Sequence, residues 1–187
     1  TYGRVHLAEG QTGAFLNVNG GLEMTGALLS QNSGSGANTV RLSSDVTTFA
    51  SIHTSRLGNS DDSDTYTELN GTRTFTIADG VAGLDFALSS IVRDSTSPIA
   101  VGHLIKAGPG VMQLQGAGNA NTYTGTTTVN EGTLAVNGTS IPDTNKLAIG
   151  AGKVEVTGTE TVNTLFFGAA QQAAGTWGAT GSGAAHI

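Results

Sequence analysis

An acidic, hydroxyl-rich stretch holds the densest set of metal-ligating oxygens in this sequence. Within Ser55 to Thr65, the side chains of Asn59, Asp61, Asp62 and Asp64 stand close together. Carboxylate and amide oxygens are the ligands that Ca²⁺ prefers, but the spacing matches neither an EF-hand loop nor the nonapeptide calcium repeat. We therefore favour a solvated loop, keep these four residues as a weak calcium candidate, and expect no other cofactor.

Three carboxylates could in principle perform acid and base chemistry. Asp79, Asp85 and Asp94 fall in neighbouring predicted strands and corners, and a pair facing one groove would suit glycoside hydrolysis. Asp79 precedes Gly80, and Asp94 stands next to Ser95, as turn residues commonly do. The structural role is favoured, so we predict no catalytic residues and no enzyme activity.

The remaining reactive residue types do not form a recognisable site. His6, His53, His103 and His186 are widely spaced, with no His-x-x-x-His pair of the kind that binds zinc. The chain has no cysteine, so thiolates and disulfides are absent. It also has no Gly-x-Ser-x-Gly elbow for a nucleophilic serine.

The composition favours many short strands joined by many turns. There are 28 glycines, whereas charged residues make up only 12% and aromatics 5%, far from the usual proportions of a globular enzyme. A net charge of −6 offers nucleic acid no basic patch. The sequence contains no run of about 18 apolar residues, which is the length needed to span a membrane.

The elements themselves are short runs of alternating polarity. Val111 to Leu114, Thr127 to Val129 and Leu134 to Val136 each predict one strand, and Tyr123 to Gly125 predicts a corner between two of them. Strands centred near 113, 135 and 155 recur at about twenty residues, which is typical of one solenoid coil. At that spacing the chain would form about nine coils.

The segment from Leu104 to Gly138 contains a series of short motifs in a fixed order. They are Leu-x-Lys-x-Gly-x-Gly at 104–110, Leu-x-Gly at 114–116, Asn-Thr-Tyr-Thr-Gly at 121–125, Thr-Thr-Val-Asn at 127–130 and Gly-Thr-Leu-x-Val at 132–136. With these motifs the segment resembles the autotransporter-associated β-strand repeat, also called the passenger-associated transport repeat, of bacterial surface and secreted proteins. Two departures, Pro109 and the extra residues 118–120, fall in loops. The resemblance implies coils of a right-handed parallel β-helix in an extracellular protein.

We therefore predict an all-β chain folded as a right-handed parallel β-helix, a β-solenoid, in a single domain over 1–187. Its parts would be less regular N-terminal coils at 1–103, the repeat at 104–138, and C-terminal coils with a Gly/Ala-rich closing tail at 139–187. In the first part, Tyr2 to Ala8 and Thr47 to His53 are predicted strands, the latter carrying Phe49 and Ile52. A β-sandwich is the alternative for this N-terminal part.

The expected function is that of an extracellular structural rod on a Gram-negative-type bacterial surface. Copies of the chain would join head to tail into a filament, with surface glycans or neighbouring cell surfaces as further candidate partners. Alternatives are a passenger or stalk segment of an autotransporter-like adhesin, and a β-helix that binds or cleaves polysaccharide. The residues predicted to mediate self-assembly are Tyr2, Val5, Leu7, Leu165, Phe166, Phe167 and Trp177, the last as a cap over the end of the core.

Overall fold

The computed structural model describes residues 3–7, 13–31, 38–58, 65–115, 120–180 and 183–186. Within these ranges every regular element is a β-strand of two to six residues, and no helix is present. Frequent turn residues end each strand early. In chain order the strands are β1 Arg4–Leu7, β2 Phe15–Val18, β3 Leu22–Met24, β4 Leu28–Gln31, β5 Asn38–Leu42, β6 Val46–Thr48, β7 Ser55–Leu57, β8 Thr65–Leu69, β9 Thr72–Ile77, β10 Phe86–Leu88, β11 Ile91–Thr96, β12 Ile99–Ala100, β13 His103–Ala107, β14 Val111–Leu114, β15 Thr127–Val129, β16 Thr133–Asn137, β17 Lys146–Ile149, β18 Lys153–Thr157, β19 Thr164–Phe167 and β20 Ala170–Gln171.

These strands form three parallel sheets that wind as a solenoid of about six turns. Sheet A has seven strands in the order β1-β4-β7-β10-β14-β16-β18, and sheet C has eight in the order β20-β19-β17-β15-β13-β9-β6-β3. Sheet B has five in the order β12-β11-β8-β5-β2. The short strands β12 and β20 pair antiparallel, each folding back on the strand before it. The predicted all-β solenoid is confirmed.

The N-terminal strands belong to the same three sheets, so the β-sandwich alternative is wrong. β1, β2 and β3 pair in parallel with β4, β5 and β6 of the next turn. The estimate of nine coils is also wrong, because the early turns are longer than those that suggested it. Arg4 pairs with Leu28, and Ser55 pairs with Phe86.

The spacing of about twenty residues predicted between the strands near 113, 135 and 155 is confirmed by the register of sheet A. Met112 pairs with Leu134, and Leu134 pairs with Val154. Paired residues in parallel strands point to the same face, and all three side chains belong to the core or pack against it. Each turn therefore buries its apolar side chains on those of the neighbouring turn, as stacked repeat units must.

Aliphatic rows fill the interior between the sheets. Leu57, Leu88 and Leu114 pair across β7, β10 and β14 and are completely buried. Phe75 and Phe86 meet inside with their ring centroids 5.9 Å apart. A fully buried leucine or phenylalanine stabilises a fold by about 1.5–3 kcal/mol. The burial of these rows is therefore the main interaction that stabilises the packing of one turn on the next.

The parallel ladder of sheet B stops after β11, and a buried tyrosine fills part of the space beyond it. The segments 120–126 and 138–145 replace B strands in the following turns. Tyr123 is completely buried, its hydroxyl lies 2.6 Å from Oγ1 of Thr127, and its carbonyl accepts the side-chain amide of Asn145 at 2.8 Å. The prediction of a simple corner is therefore incomplete, because the corner also contributes a core aromatic ring.

The predicted strand from Thr47 to His53 ends early. β6 stops at Thr48, and the side chains of Phe49 and Ile52 are 50% and 69% exposed. The carbonyl of Ser51 accepts the N–H of Val81 at 3.0 Å, so this stretch is a corner stacked on the corner of the next turn. The two apolar residues Phe49 and Ile52 resembled part of a strand, although they lie on the outside of a bend.

Candidate functional site

The N-terminal end of the solenoid exposes a residue that the register places in the core. Val5 pairs with Leu29, which is almost fully buried, yet Val5 is 58% exposed. Leu7 packs against the core. In the described part of the chain no strand pairs with the outer edge of β1. Tyr2, also predicted to mediate assembly here, lies outside the described residues.

The predicted assembly residues at the other end form an aromatic group. Leu165 packs against the core, while Phe166 points to the opposite face of β19. Trp177 meets Phe167 edge-on with centroids 5.4 Å apart and stacks on His186 at 4.4 Å. The arrangement is the kind of contact that a cap over the last turn would make.

The edge of β19 is occupied by the chain itself. Residues 170–172 fold back and bond to the backbone of residues 165–167, mostly through β20. A strand from another molecule could pair at this edge only by displacing β20. The role of Leu165, Phe166, Phe167 and Trp177 in assembly stays a prediction.

Sheet A has a second open edge, at β18. This strand pairs with β16 along its length, and among the described residues none pairs with its other side. Val156 continues the inward row of Val136, but Val156 is 49% exposed whereas Val136 is 3% exposed. Both ends of sheet A thus present a half-covered valine beside backbone groups that can template another strand.

The lysine of the repeat is a buried structural cation. Lys106 is completely buried, and its Nζ donates to the carbonyls of Ala107 at 2.9 Å, Gly108 at 2.6 Å and Glu131 at 3.1 Å. Burial lowers the pKa of Lys106 to about 8, although nearby carboxylates oppose the shift. Since Glu131 belongs to the next turn, the ammonium group joins two successive corners.

A second buried charge lies on the outer face of sheet B. Glu68 is completely buried and accepts hydrogen bonds from Arg41 at 2.7 Å, Arg93 at 2.9 Å and the hydroxyl of Thr96 at 2.9 Å. Burial alone would raise the pKa of Glu68, but the bonds from Arg41 and Thr96 and the two arginine charges outweigh it and lower that pKa. The cluster ties β5, β8 and β11 together and leaves no proton to donate near neutral pH.

The candidate acid and base residues are engaged in bracing corners. Asp85 accepts two backbone N–H groups at 2.8 Å, and Asp94 accepts two N–H groups and a hydroxyl at 2.6–3.0 Å. Asp94 lies in sheet B, whereas Asp85 immediately precedes β10 of sheet A. Asp79 lines a shallow, open depression of about 380 Å³ with Ile52 and Val81. The structure therefore places Asp94 on a different sheet from Asp85, and the carboxylates of both residues already accept backbone N–H groups.

The calcium candidates Asn59, Asp61, Asp62 and Asp64 lie outside the described residues. Within the described ranges, no group of three or more histidine, aspartate or glutamate residues could hold a metal ion. The same part of the chain contains no helix long and apolar enough to cross a membrane.

The sequence could have predicted the buried lysine but not the buried glutamate cluster. Lys106 stands two residues after Leu104, on the inward side of the same strand, so its burial follows from alternation. The cluster of Arg41, Glu68 and Arg93 gives no such signal, because its members come together only through the register of three turns of unequal length.

The fold is that of a β-solenoid whose turns share one core, and one of its turns matches a known family. Residues 104–136, from β13 into β16, match the passenger-associated-transport-repeat family. The chain thus carries this repeat on a β-solenoid, and the two together fit a passenger-like domain of an autotransporter. No curated protein and no solved structure shows significant similarity to the chain.

Proposed function

We propose that this chain is a rod-like structural segment of an extracellular bacterial surface protein, and that copies of it join end to end into a filament. The observation that carries the proposal is the parallel ladder of sheet A, which runs from β1 to β18 with both outer edges open in the described structure. An open strand edge accepts a further strand. A head-to-tail contact that does not close on itself generates a filament.

The extracellular location is supported by the matched repeat, which is named for transported passengers, and by a composition rich in glycine and poor in charge. The absence of cysteine means that the rod depends on backbone ladders and core rows for its stability. A Gram-negative-type surface is part of the proposal. Surface glycans and neighbouring cells remain candidate partners, whereas a net charge of −6 disfavours nucleic acid.

A structural and non-catalytic role agrees with the chemistry of the polar residues. Asp85, Asp94, Glu68 and Lys106 all engage in bonds that brace corners or link turns. Such groups stabilise a scaffold, and their hydrogen-bonding capacity is already used. We therefore propose that no residue of this chain performs catalysis and that no cofactor is needed.

A second candidate is a passenger or stalk segment whose open edges are covered by further turns of the same protein. The family match at residues 104–136 favours it directly. In that case the rod presents its flat faces to partners, and the ends of sheet A mark the continuation of a longer solenoid.

Negative-stain electron microscopy of the 187-residue chain at increasing concentration tests the first proposal. About six turns at roughly 4.8 Å per turn give an axial repeat of about 30 Å. Fibres with this repeat are expected. Short single rods at every concentration would remove the filament and leave the passenger or stalk segment. Labelling of intact source cells with an antibody to the chain tests the location, and labelling that requires permeabilised cells would contradict it.

A further inference from the structure

We infer that two copies of this chain join through sheet A alone, with β18 of one copy pairing in parallel with β1 of the next. In the register that we assign, Val156 lies opposite Val5 and Glu155 lies opposite Arg4. The inference rests on the proposed end-to-end assembly and specifies its contact.

The charge match follows from one row of side chains on the outer face of sheet A. Each member pairs with its neighbour in the next turn, so a further copy stacked as one more turn continues the row. Arg4 stands at one end and Glu155 at the other, and stacking places the carboxylate beside the guanidinium. The full row is Arg4, Leu28, Arg56, Ala87, Gln113, Ala135 and Glu155.

The apolar match follows from the adjacent inward row. Val5 and Val156 are its first and last members, and they are 58% and 49% exposed, whereas the leucines between them are at most 5% exposed. They are exposed because, among the described residues, no strand pairs with the outer side of β1 or of β18. Stacking the copies in the assigned register covers each valine with the other.

The backbone polarity of the two edges is also compatible. In a parallel ladder the N–H and C=O of alternate residues point to opposite sides. Lys153 donates its N–H to the carbonyl of Gly132, directly before β16. The N–H and C=O of Glu155 therefore also point toward β16, and those of Val156 point to the open edge. The carbonyl of Gly3 accepts the N–H of Leu28 in β4, so the N–H and C=O of the next residue, Arg4, point to the open edge of β1. In the assigned register the N–H of Val156 therefore meets the carbonyl of Arg4.

Other registers are worse for identifiable reasons. A shift of one residue would turn the side chains of the incoming strand to the wrong face. A shift of two residues one way sets Lys153 opposite Arg4, which places like charges together. The opposite shift sets Val156 against Gly3, so the valine gains no apolar partner.

The contact is confined to sheet A because the other sheets offer no matching edges. β20 covers β19 at the end of sheet C, and sheet B has no strand beyond β12 in the described structure. Glu155 already contacts Lys153 at 2.7 Å, but both side chains are more than half exposed, and such pairs contribute little. Glu155 can therefore turn to Arg4 at little cost, and one strand pair predicts weak, concentration-dependent association.

Sedimentation velocity of the 187-residue chain, from micromolar to millimolar concentration at low ionic strength, tests this contact. Glu155→Arg faces Arg4 with a like charge and should weaken association by about tenfold, and adding Arg4→Glu should restore it. Val156→Pro should abolish association, because it removes an N–H at the open edge without removing a bond to β16. Glu23→Arg is the matched control, since it makes the same charge change on an exposed position of β3 in sheet C.

The outcomes separate this inference from the proposed function. Loss of association in Glu155→Arg and Val156→Pro, with rescue by the double charge exchange and no effect of Glu23→Arg, supports the assigned contact. Association that is equally strong in all four variants overturns the contact but leaves end-to-end assembly standing. A chain that remains monomeric at every concentration overturns both. Circular dichroism of each variant establishes that it keeps the β-fold.

Discussion

Replacing Lys106 with methionine should destabilise the solenoid by about 2–4 kcal/mol at pH 7. Three carbonyl oxygens, one in a buried and two in partly buried hydrogen bonds, lose their donor, and an unsatisfied buried acceptor costs about 1–3 kcal/mol. Removing the ammonium group also removes its burial cost. The pKa falls from 10.5 to about 8, and each unit corresponds to about 1.4 kcal/mol, so the relief is about 3 kcal/mol. The lost hydrogen bonds outweigh it.

The same lysine should give a distinctive dependence on pH. Its pKa is lower in the folded chain than in the unfolded chain, so between pH 8 and 10.5 the unfolded chain binds more protons. Stability increases with pH wherever the unfolded state binds more protons. The unsubstituted chain should therefore gain stability relative to Lys106→Met as the pH rises through this interval, and the gain should cease above it.

Urea unfolding followed by circular dichroism and by the fluorescence of Trp177 measures both effects. Lys153→Met is the matched control, because that side chain is 64% exposed and should change stability by less than about 0.5 kcal/mol. If the free energy of unfolding of Lys106→Met at pH 7 lies within about 0.5 kcal/mol of that of the original chain, Lys106 does not stabilise the two corners as assigned. A stability difference that is flat between pH 8 and 10.5 would refute the lowered pKa.

Three further substitutions test other parts of the scaffold by the same unfolding measurement. Glu68→Gln should cost about 3–5 kcal/mol, because the buried Arg41 and the partly buried Arg93 lose their counter-charge. Since the pKa of Glu68 is lowered from 4.5 by folding, the advantage of the original chain should decrease as the pH falls below 4.5 and should be lost below the folded-state pKa, and an advantage that does not decrease would contradict this reasoning. Tyr123→Phe should cost about 1–2 kcal/mol through the lost bond to Thr127. Burial raises the pKa of Tyr123, so the original chain should lose stability relative to this variant above pH 10. Curves of unfolding free energy against pH that stay parallel for the two chains would refute the raised pKa. Gly125→Ala should cost about 1–3 kcal/mol because a Cβ would overlap a backbone carbonyl, whereas Gly83→Ala, with no atom within 4 Å, should be neutral. Equal changes in the free energy of unfolding for Gly125→Ala and Gly83→Ala would show that the corner at Gly125 is not closely packed.

Local alternation was sufficient to predict the turns that follow Leu104. Met112 and Leu114 alternate with Val111 and Gln113, and the next turns repeat the pattern at nearly constant spacing, so strand position and register can both be read from the sequence. The same rule fails at Phe49, where an apolar residue follows a strand but lies on a corner. Alternation cannot distinguish these cases because the corner residues were themselves apolar.

The contacts between turns were harder to predict than the strands. Arg41 and Glu68 are brought together by one turn, and Glu68 and Arg93 by another of different length. Pairing them from the sequence requires the length of every loop between. Tyr123 was missed for a related reason, since its burial depends on sheet B ending after β11. The period of the sequence pattern predicts where strands lie. The contacts of Arg41, Glu68 and Arg93 and the burial of Tyr123 depend instead on loop lengths and on where a sheet ends.

The proposed end-to-end assembly would couple to the stability of the solenoid at its ends. Each turn contacts only its neighbours, so the terminal turns have one stabilising interface where the inner ones have two. Val5 and Val156 show the consequence, because each is about half exposed in rows whose inner members are buried. A contact that pairs β18 with β1 gives both terminal turns their second interface, and binding that favours the folded state raises its stability by mass action. Protection of the β1 and β18 amides from hydrogen exchange should therefore increase with protein concentration, while protection of β10 at the centre of sheet A should not.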